Sequence, residues 1–398
     1  DPRIPAVVPG FDAPFFQAGL AGYSDAAMRI TARRHGCPFC VTEALLDRTL
    51  LAGGRGFDKA DMGELHDNIP GGEEDHPLAG QIMGSDPREM AAGALKMVEQ
   101  KTRSDKEYRL LAYASGHVHA TTAVPDTLSP SHRITVSTHE LPADARSFEV
   151  IDVNLACPVK KIERKARGGH WLAEPQGAIA ILEAVREAVP ADVPCAVKMR
   201  RGFDDTPQMA ANFERIFEAA YAIGYAWVTV HARTVEQKYV GPSRWIFLKE
   251  LVQRHPEKII FGSGDVWNVD EVFRMLSYTG VHAVSVARGC IGNPWIFRQA
   301  REMMAGRPPS PPTLAEQRAA LKMHFDLSLA VTRRFKHGED ATSKMMRKFG
   351  IRFAVHHPRG EEVRLRMIAV SSLADWDAVL EEFYAADAAI AVPHAAMH

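Results

Sequence analysis

The stretch VIDVNLACPVKK, residues 150–161, sets an apolar run that ends in asparagine against a cysteine, a proline and two lysines. The run VIDVNL (150–155) reads as a strand. Pro158 stops regular structure, so the sulfur of Cys157 is delivered just past a strand end instead of into a core. Cysteine is also often a small buried hydrophobe, and Cys195 and Cys290, inside apolar runs, read that way.

Working outward, the chain from 13 to about 300 repeats one theme: a short apolar run, a polar or glycine-bearing end, then an amphipathic stretch. The runs that read as strands are FFQAGL (15–20), FCVTEA (39–44), PLAGQIMG (77–84), VIDVNL (150–155), CAVKMR (195–200), WVTVHA (227–232), IIFGSG (259–264) and AVSVAR (283–288). Helical patterns such as 87–100, 176–189 and 208–224 lie between several of them. Eight strands alternating with helices point to an α/β fold of the (β/α)8 TIM-barrel type, although a doubly wound open sheet alternates similarly. Polar residues favour the barrel, because they collect at the carboxyl ends of the runs: Gln81, Asn154, Cys157, Lys198, His231, Ser263 to Asp265, and Arg288. In a barrel those ends share one mouth.

Composition bounds the chemistry. With 398 residues, 46% hydrophobic and 24% charged, the chain can bury one large domain and a smaller one. Its 48 Lys and Arg against 49 Asp and Glu mean that any nucleic-acid surface comes from local clustering. Five cysteines, odd in number and sparse, argue against a disulfide framework and for a reducing compartment, the cytoplasm. No run of 18 apolar residues occurs and the start, DPRIPAVVPG, lacks a secretion-signal pattern, so neither membrane nor export is expected. Cys37 and Cys40 form a Cys-x-x-Cys pair, but no second pair or histidine follows at zinc spacing, and no metal is expected.

Residues 101–148 break the rhythm with β-type runs and turns, and read as an inserted β excursion. GRPPSPPT (306–313) reads as a proline-rich linker, since proline fixes φ and removes a donor. The expected organisation is a barrel over 1–305 followed by a small helical domain over 314–398.

The order of motifs resembles the tRNA-dihydrouridine synthases, flavin enzymes with an FMN-bearing barrel and a helical tRNA-binding domain. The resemblance rests on AGYSDAAMR (21–29), TEA (42–44), GQIMGSDP (80–87), DVNLACPVKK (152–161), GG (168–169), VKMRRG (197–202), VHARTVEQKYVG (230–241), SGDV (263–266) and ARGCIGNPWIF (287–297). It implies reduction of a uridine in tRNA: hydride from reduced FMN to carbon 6, a proton to carbon 5, and NADPH as electron donor. An ordinary thiol, with a pKa of about 8.5, is protonated at neutral pH and suits the acid, so Cys157 takes that role. Asn154 offers a donor and an acceptor to the base edge or the flavin. The resemblance carries FMN contacts onto Gln81, Lys198 and His231, the last two placed to balance charge on a reduced ring. A lone histidine near an apolar run is more often a satisfied core residue, whereas Lys198 cannot be buried cheaply without a partner.

Ser263, Gly264, Asp265, Ala287 and Arg288 match the place where barrels commonly hold a phosphate. Ser263 stands where the family usually has Asn, and Ala287 where it often has Gly. Gly19, Leu20 and Ala21 fall beside the isoalloxazine, with Gly19 and Leu20 in place of Pro and Met. For the RNA, Lys160, Lys161 and Arg164 flank the thiol, and Arg347 and Lys348 belong to a basic stretch over 333–359. Either basic run can equally be a solvated helix face. No required protein partner is evident in the sequence. Two other readings stay open: a flavin barrel acting on a free small molecule, as dihydroorotate dehydrogenases do, and an RNA-binding relative without catalysis.

Overall fold

A computed structural model describes residues 1–47, 73–99, 148–159, 167–332 and 338–385. The expected β excursion over 101–148 lies, except for Phe148, outside the described residues.

Eight parallel strands close into a barrel: β1 (Phe15–Gln17), β2 (Cys40–Val41), β4 (Leu78–Met83), β5 (Val150–Leu155), β6 (Cys195–Arg200), β7 (Trp227–His231), β8 (Ile260–Ser263) and β9 (Ala283–Val286). The ring is completed by β9 on β1 and by β2 on β4. A ninth strand, β3 (Leu45–Leu46), lies outside the ring on the upper end of β4. All eight runs expected as strands are barrel strands, and β3 is the addition; two residues are too few to show a period.

The strand period of two separates two cores. On β5, Ile151, Val153 and Leu155 pack outward against helices, whereas Val150 faces the barrel interior. The bottom of that interior is an aromatic plug. Phe11 stacks on Phe39 with centroids 4.7 Å apart, and Trp227 meets Phe261 at 5.1 Å. Ile4 of α1 (Arg3–Val7) closes it from below. Polar inward residues are therefore confined above the plug.

The outer ring comprises α2 (Ala26–Arg34), α3 (Pro87–Glu99), α4 (Pro175–Ala188), α5 (Pro207–Ile223), α6 (Trp245–Arg254), α7 (Val269–Thr279) and α8 (Trp295–Met304). Their ends follow from sequence. Thr206 caps α5 with Pro207 at its first position and Gly224, φ 101°, at its end. Asn268 and Glu271 form a reciprocal capping box on α7.

Residues 307–313 have no regular structure and lead into α9 (Leu314–Thr332), α10 (Glu339–Phe353), α11 (Gly360–Ala369) and α12 (Leu373–Tyr384). These helices rest on the barrel. Leu327 joins Ala26, Ala27 and Ile30 of α2 in one buried cluster, and Trp295 meets Phe353 edge-on at 5.3 Å. Gly292 allows the closest approach, since a Cβ there would stand 2.6 Å from the Phe353 nitrogen.

One buried ion pair ties α2 to the segment before β4. Arg29 Nη2 lies 2.8 Å from Asp75 Oδ2, with both side chains fully buried, and Arg29 Nη1 also donates to Ser24 O at 2.8 Å. Removing one partner leaves a buried charge uncompensated. Asp75→Ala is expected to lower the unfolding free energy by about 3 to 5 kcal/mol, read as a shifted denaturant midpoint at unchanged slope.

Candidate active site at the barrel mouth

The site begins at the end of β5. Asn154 Oδ1 accepts from the N–H groups of Ala156 (2.9 Å) and Cys157 (3.2 Å), turning the chain out of the strand. Cys157 O then accepts from Gly169 N at 3.0 Å, and buried Arg200 donates to Ala156 O at 2.9 Å. The two glycines of 168–169 leave room for this turn. Gly168 has φ +57°, and a Cβ there would stand 2.8 Å from Cys157 Cβ; one at Gly169 would stand 2.9 Å from Cys157 O. The thiol is held half-buried, not packed away like Cys195 and Cys290.

Below it runs a directional chain of side chains. Asn154 Nδ2 donates to Gln81 Oε1 at 2.7 Å, and Gln81 Nε2 donates to Asp152 Oδ2 at 2.7 Å. Parallel register sets this: Gln81 pairs with Asp152 across β4–β5, and Asn154 with Lys198 across β5–β6. Gly19, Gln81, Asp152, Lys198, Thr229 and Ser285 line one cavity above Phe16, Phe39 and Trp227. A second cavity is lined by His231, Ser263, Gly264, Asp265, Ala287 and Arg288, and shares Ser285 with the first. Of the residues expected to hold a cofactor, Gly19, Gln81 and Lys198 line the first cavity, His231, Ser263, Gly264, Asp265, Ala287 and Arg288 line the second, and Asn154 reaches the first through Gln81, so that they form one set. Leu20 and Ala21 do not join it: Leu20 N is held by Ser24 Oγ at 2.8 Å, and Ala21 is exposed.

Burial sets the charge states. It pushes Lys198 down to about 8, helped by the Arg200 cation and opposed by Asp152. It pushes Asp152 up to about 6, opposed by the Gln81 hydrogen bond and by Lys198. His231 is driven well below its ordinary value by burial and then by Arg200, Lys198, Arg233 and Arg288. Its Nδ1 accepts from Arg233 N at 3.2 Å, so the neutral ring carries its proton on Nε2.

At the rim the chain makes a tight turn after β8. Gly264 has φ +115°, and a Cβ there would stand 2.3 Å from Ser243 Oγ and 3.2 Å from His231 Cε1. Asp265 follows at φ 54° and commits its carboxylate to Arg233, at 2.7 and 2.8 Å, and to Ser243 N at 2.7 Å. Arg288 lies between the rings of Trp267 and Tyr239, 4.4 and 4.7 Å from their centroids. Among the described residues, buried Ser243 Oγ and Ser285 Oγ have no hydrogen-bond partner.

Of the residues expected to meet RNA, Lys160, Lys161 and Arg164 lie outside the described residues. Lys348 donates to Gly22 O and lies 5.1 Å from the Tyr23 ring centroid, so its charge sits where α10 meets the loop after β1. Arg347 donates to Lys344 O at 3.1 Å and to Ile368 O at 3.4 Å. Sequence reading passed over Asp152 and Arg200. The signal was available, because the strand period places 152 inward with 154, and 200 inward with 198.

A closed (β/α)8 barrel with a thiol, amides and cationic groups converging at the strand carboxyl ends is the architecture of an enzyme. Residues 137–386 match the family model for dihydrouridine synthase (Dus). A probable tRNA-dihydrouridine synthase of Mycobacterium leprae is 31% identical over 292 residues, covering 70% of this chain and 72% of the relative. Another, from Treponema pallidum, is 30% identical over 281 residues, covering 69% and 79%. A third, from Mycobacterium tuberculosis, is 32% identical over 234 residues, 58% of each chain. The chain belongs to the dihydrouridine synthase family, and with it to the oxidoreductases.

The glycine seat of the thiol is testable. Gly168→Ala forces a left-handed residue to carry a Cβ and presses it on Cys157. A loss of at least about 1 to 2 kcal/mol is expected, with a changed rate of Cys157 alkylation measured by mass spectrometry.

Proposed function

We propose that the protein reduces a uridine in tRNA to 5,6-dihydrouridine, using FMN, NADPH as electron donor and Cys157 as the acid. The observation that carries the reading is the pair of cavities that share Ser285, one lined by Gly19, Gln81 and Lys198 and the other by His231, Gly264 and Arg288, beside a seated thiol.

The residues present fit FMN. Its phosphate suits the rim turn: Gly264 leaves the backbone bare, Ser243 Oγ and Ser285 Oγ lack partners among the described residues, and Arg288 supplies charge. Gln81 and Lys198, on the strands either side of β5 and above the aromatic floor, are the polar groups that would meet its ring. FMN, when bound, supplies the hydride for carbon 6 of the uracil. Cys157 gives its proton to carbon 5. Asn154 holds the Cys157 peptide in place, and Gln81 turns an amide edge to the ring. Lys198, still largely an ammonium at neutral pH, and the Nε2–H of His231 stabilise negative charge gathered on the ring. Arg200 adds field at the same end of the barrel.

Residues 1–305 form the catalytic part in this reading, 306–313 the linker, and 314–398 the part that grips tRNA. A uridine inside folded tRNA must be turned out to reach the thiol, which needs a second surface on the backbone. Lys160, Lys161, Arg164, Arg347 and Lys348 supply it, and the compartment is the cytoplasm.

Cys157→Ala should keep FMN and its reduction by NADPH, since neither step needs a proton on uracil. Reoxidation of the reduced flavin by tRNA should slow by about 10² to 10⁴. Anaerobic stopped-flow absorbance separates the halves, and wild-type reoxidation in the variant would place the acid elsewhere.

Lys198→Ala and His231→Ala should each lower FMN retention or slow its reduction. In the wild type, reduction should weaken as pH rises through about 8, where Lys198 loses its proton. Lys198→Ala should flatten that limb, and identical pH profiles would remove the ammonium from the site.

A further inference from the structure

Asp152 is a carboxylate kept inside the barrel, 5% exposed, with Oδ1 unpartnered among the described residues. Such a group is expensive to bury, yet it ends the chain of hydrogen bonds that begins at the Cys157 peptide. Each link has one possible polarity. Backbone N–H groups only donate, so Asn154 must turn its oxygen to Ala156 and Cys157. Its Nδ2 then needs an acceptor, which is Gln81 Oε1. Gln81 Nε2 needs another, and an ionised carboxylate is acceptor only.

We infer that Asp152 is a positioning residue whose carboxylate fixes the orientation of the Gln81 and Asn154 amides and, through them, the seat of Cys157. Without that acceptor, Gln81 flips or leaves a buried N–H unpaired. A flipped Gln81 meets Asn154 donor to donor, and Asn154 then loses its hold on the Cys157 peptide. Only the consequence for a bound ring, which would meet the other amide edge, rests on the function proposed above.

Charge and geometry give different signatures. Burial keeps Asp152 protonated to about 6, whereas an unfolded aspartate ionises at about 3.9. Between those values the native state binds the proton more tightly than the unfolded state. Native stability contributed by this group therefore falls as pH rises through that window, and stays lower above it. The titratable groups whose fields meet Asp152 are Lys198 and Cys195 on β6 and Tyr225 before β7.

The test compares Asp152→Asn, which keeps an acceptor, with Asp152→Leu, which does not. Melting temperatures are taken from pH 4 to pH 7, and iodoacetamide labelling of Cys157 is followed by mass spectrometry. Asp152→Asn should melt level with wild type near pH 4 and above it at pH 7, with labelling within about twofold. Asp152→Leu should change the labelling rate by about tenfold, as loss of a buried hydrogen bond allows. Unchanged labelling in the leucine variant, or an asparagine variant that melts lower at pH 7, overturns the assignment. Should the leucine variant not fold, Asp152→Ala, which also removes the acceptor, is labelled in its place, and an unchanged rate overturns the assignment. Neither readout uses flavin, NADPH or tRNA, so it fails or succeeds apart from the proposed reaction.

Discussion

Everything at this site depends on the closing of a parallel sheet over a filled bottom. Once β9 pairs with β1 and β2 with β4, every second side chain of eight strands points into one cylinder. Phe11, Phe16, Phe39, Trp227 and Phe261 fill its lower half. Polar residues of the same strands then have one place left, above the plug and facing the mouth. The convergence of Gln81, Asp152, Lys198 and Thr229 is thus a consequence of strand register and of the size of the aromatic rings beneath.

Confinement of charge has an electrostatic cost that is shared among neighbours. Lys198, Arg200, Arg233 and Arg288 all act on His231, and their combined field with burial keeps that ring neutral. Arg200 is held there by three carbonyls: Ala156 O at 2.9 Å, Thr234 O at 2.7 Å and Lys238 O at 2.8 Å. Those bonds join the loop after β5 to the loop after β7, so the cation that tunes the site also builds its rim. Asp152 is the counter-charge inside the cylinder, and Asp265 at the rim offsets Arg233 and Arg288.

Much of this was legible in the chain. Parallel barrel strands are buried on both faces, so VIDVNL, CAVKMR and WVTVHA stand out as largely apolar runs with polar ends. The carboxyl-end rule then gathered Gln81, Asn154, Lys198, His231 and Arg288. What escaped notice was polar and interior. Asp152 sits inside a run that reads as apolar, and Arg200 closes the run CAVKMR, whose polar end reads as Lys198. Partnerships such as Gln81 with Asp152, 71 residues apart, exist only once register is known. Lys348 reads in the chain only as one cation of a basic stretch, and its contacts with Gly22 and Tyr23 at the seam between barrel and helices appear only in the fold.

The departure at the end of β1 has a local physical account. A Cβ at position 19 would stand 2.3 Å from Thr42 O and 3.3 Å from Gln81 Oε1. Any residue other than glycine, proline included, would push β1 away from the backbone after β2. Thr42 Oγ1 in turn accepts from Gln81 N at 3.0 Å, which holds β4 at the same level. The bare backbone of Gly19 therefore keeps β1, β2 and β4 close enough for Gln81 to reach Asp152 and Asn154. The wall of the central cavity here is made of main chain, and the amide chain that seats Cys157 runs directly behind it.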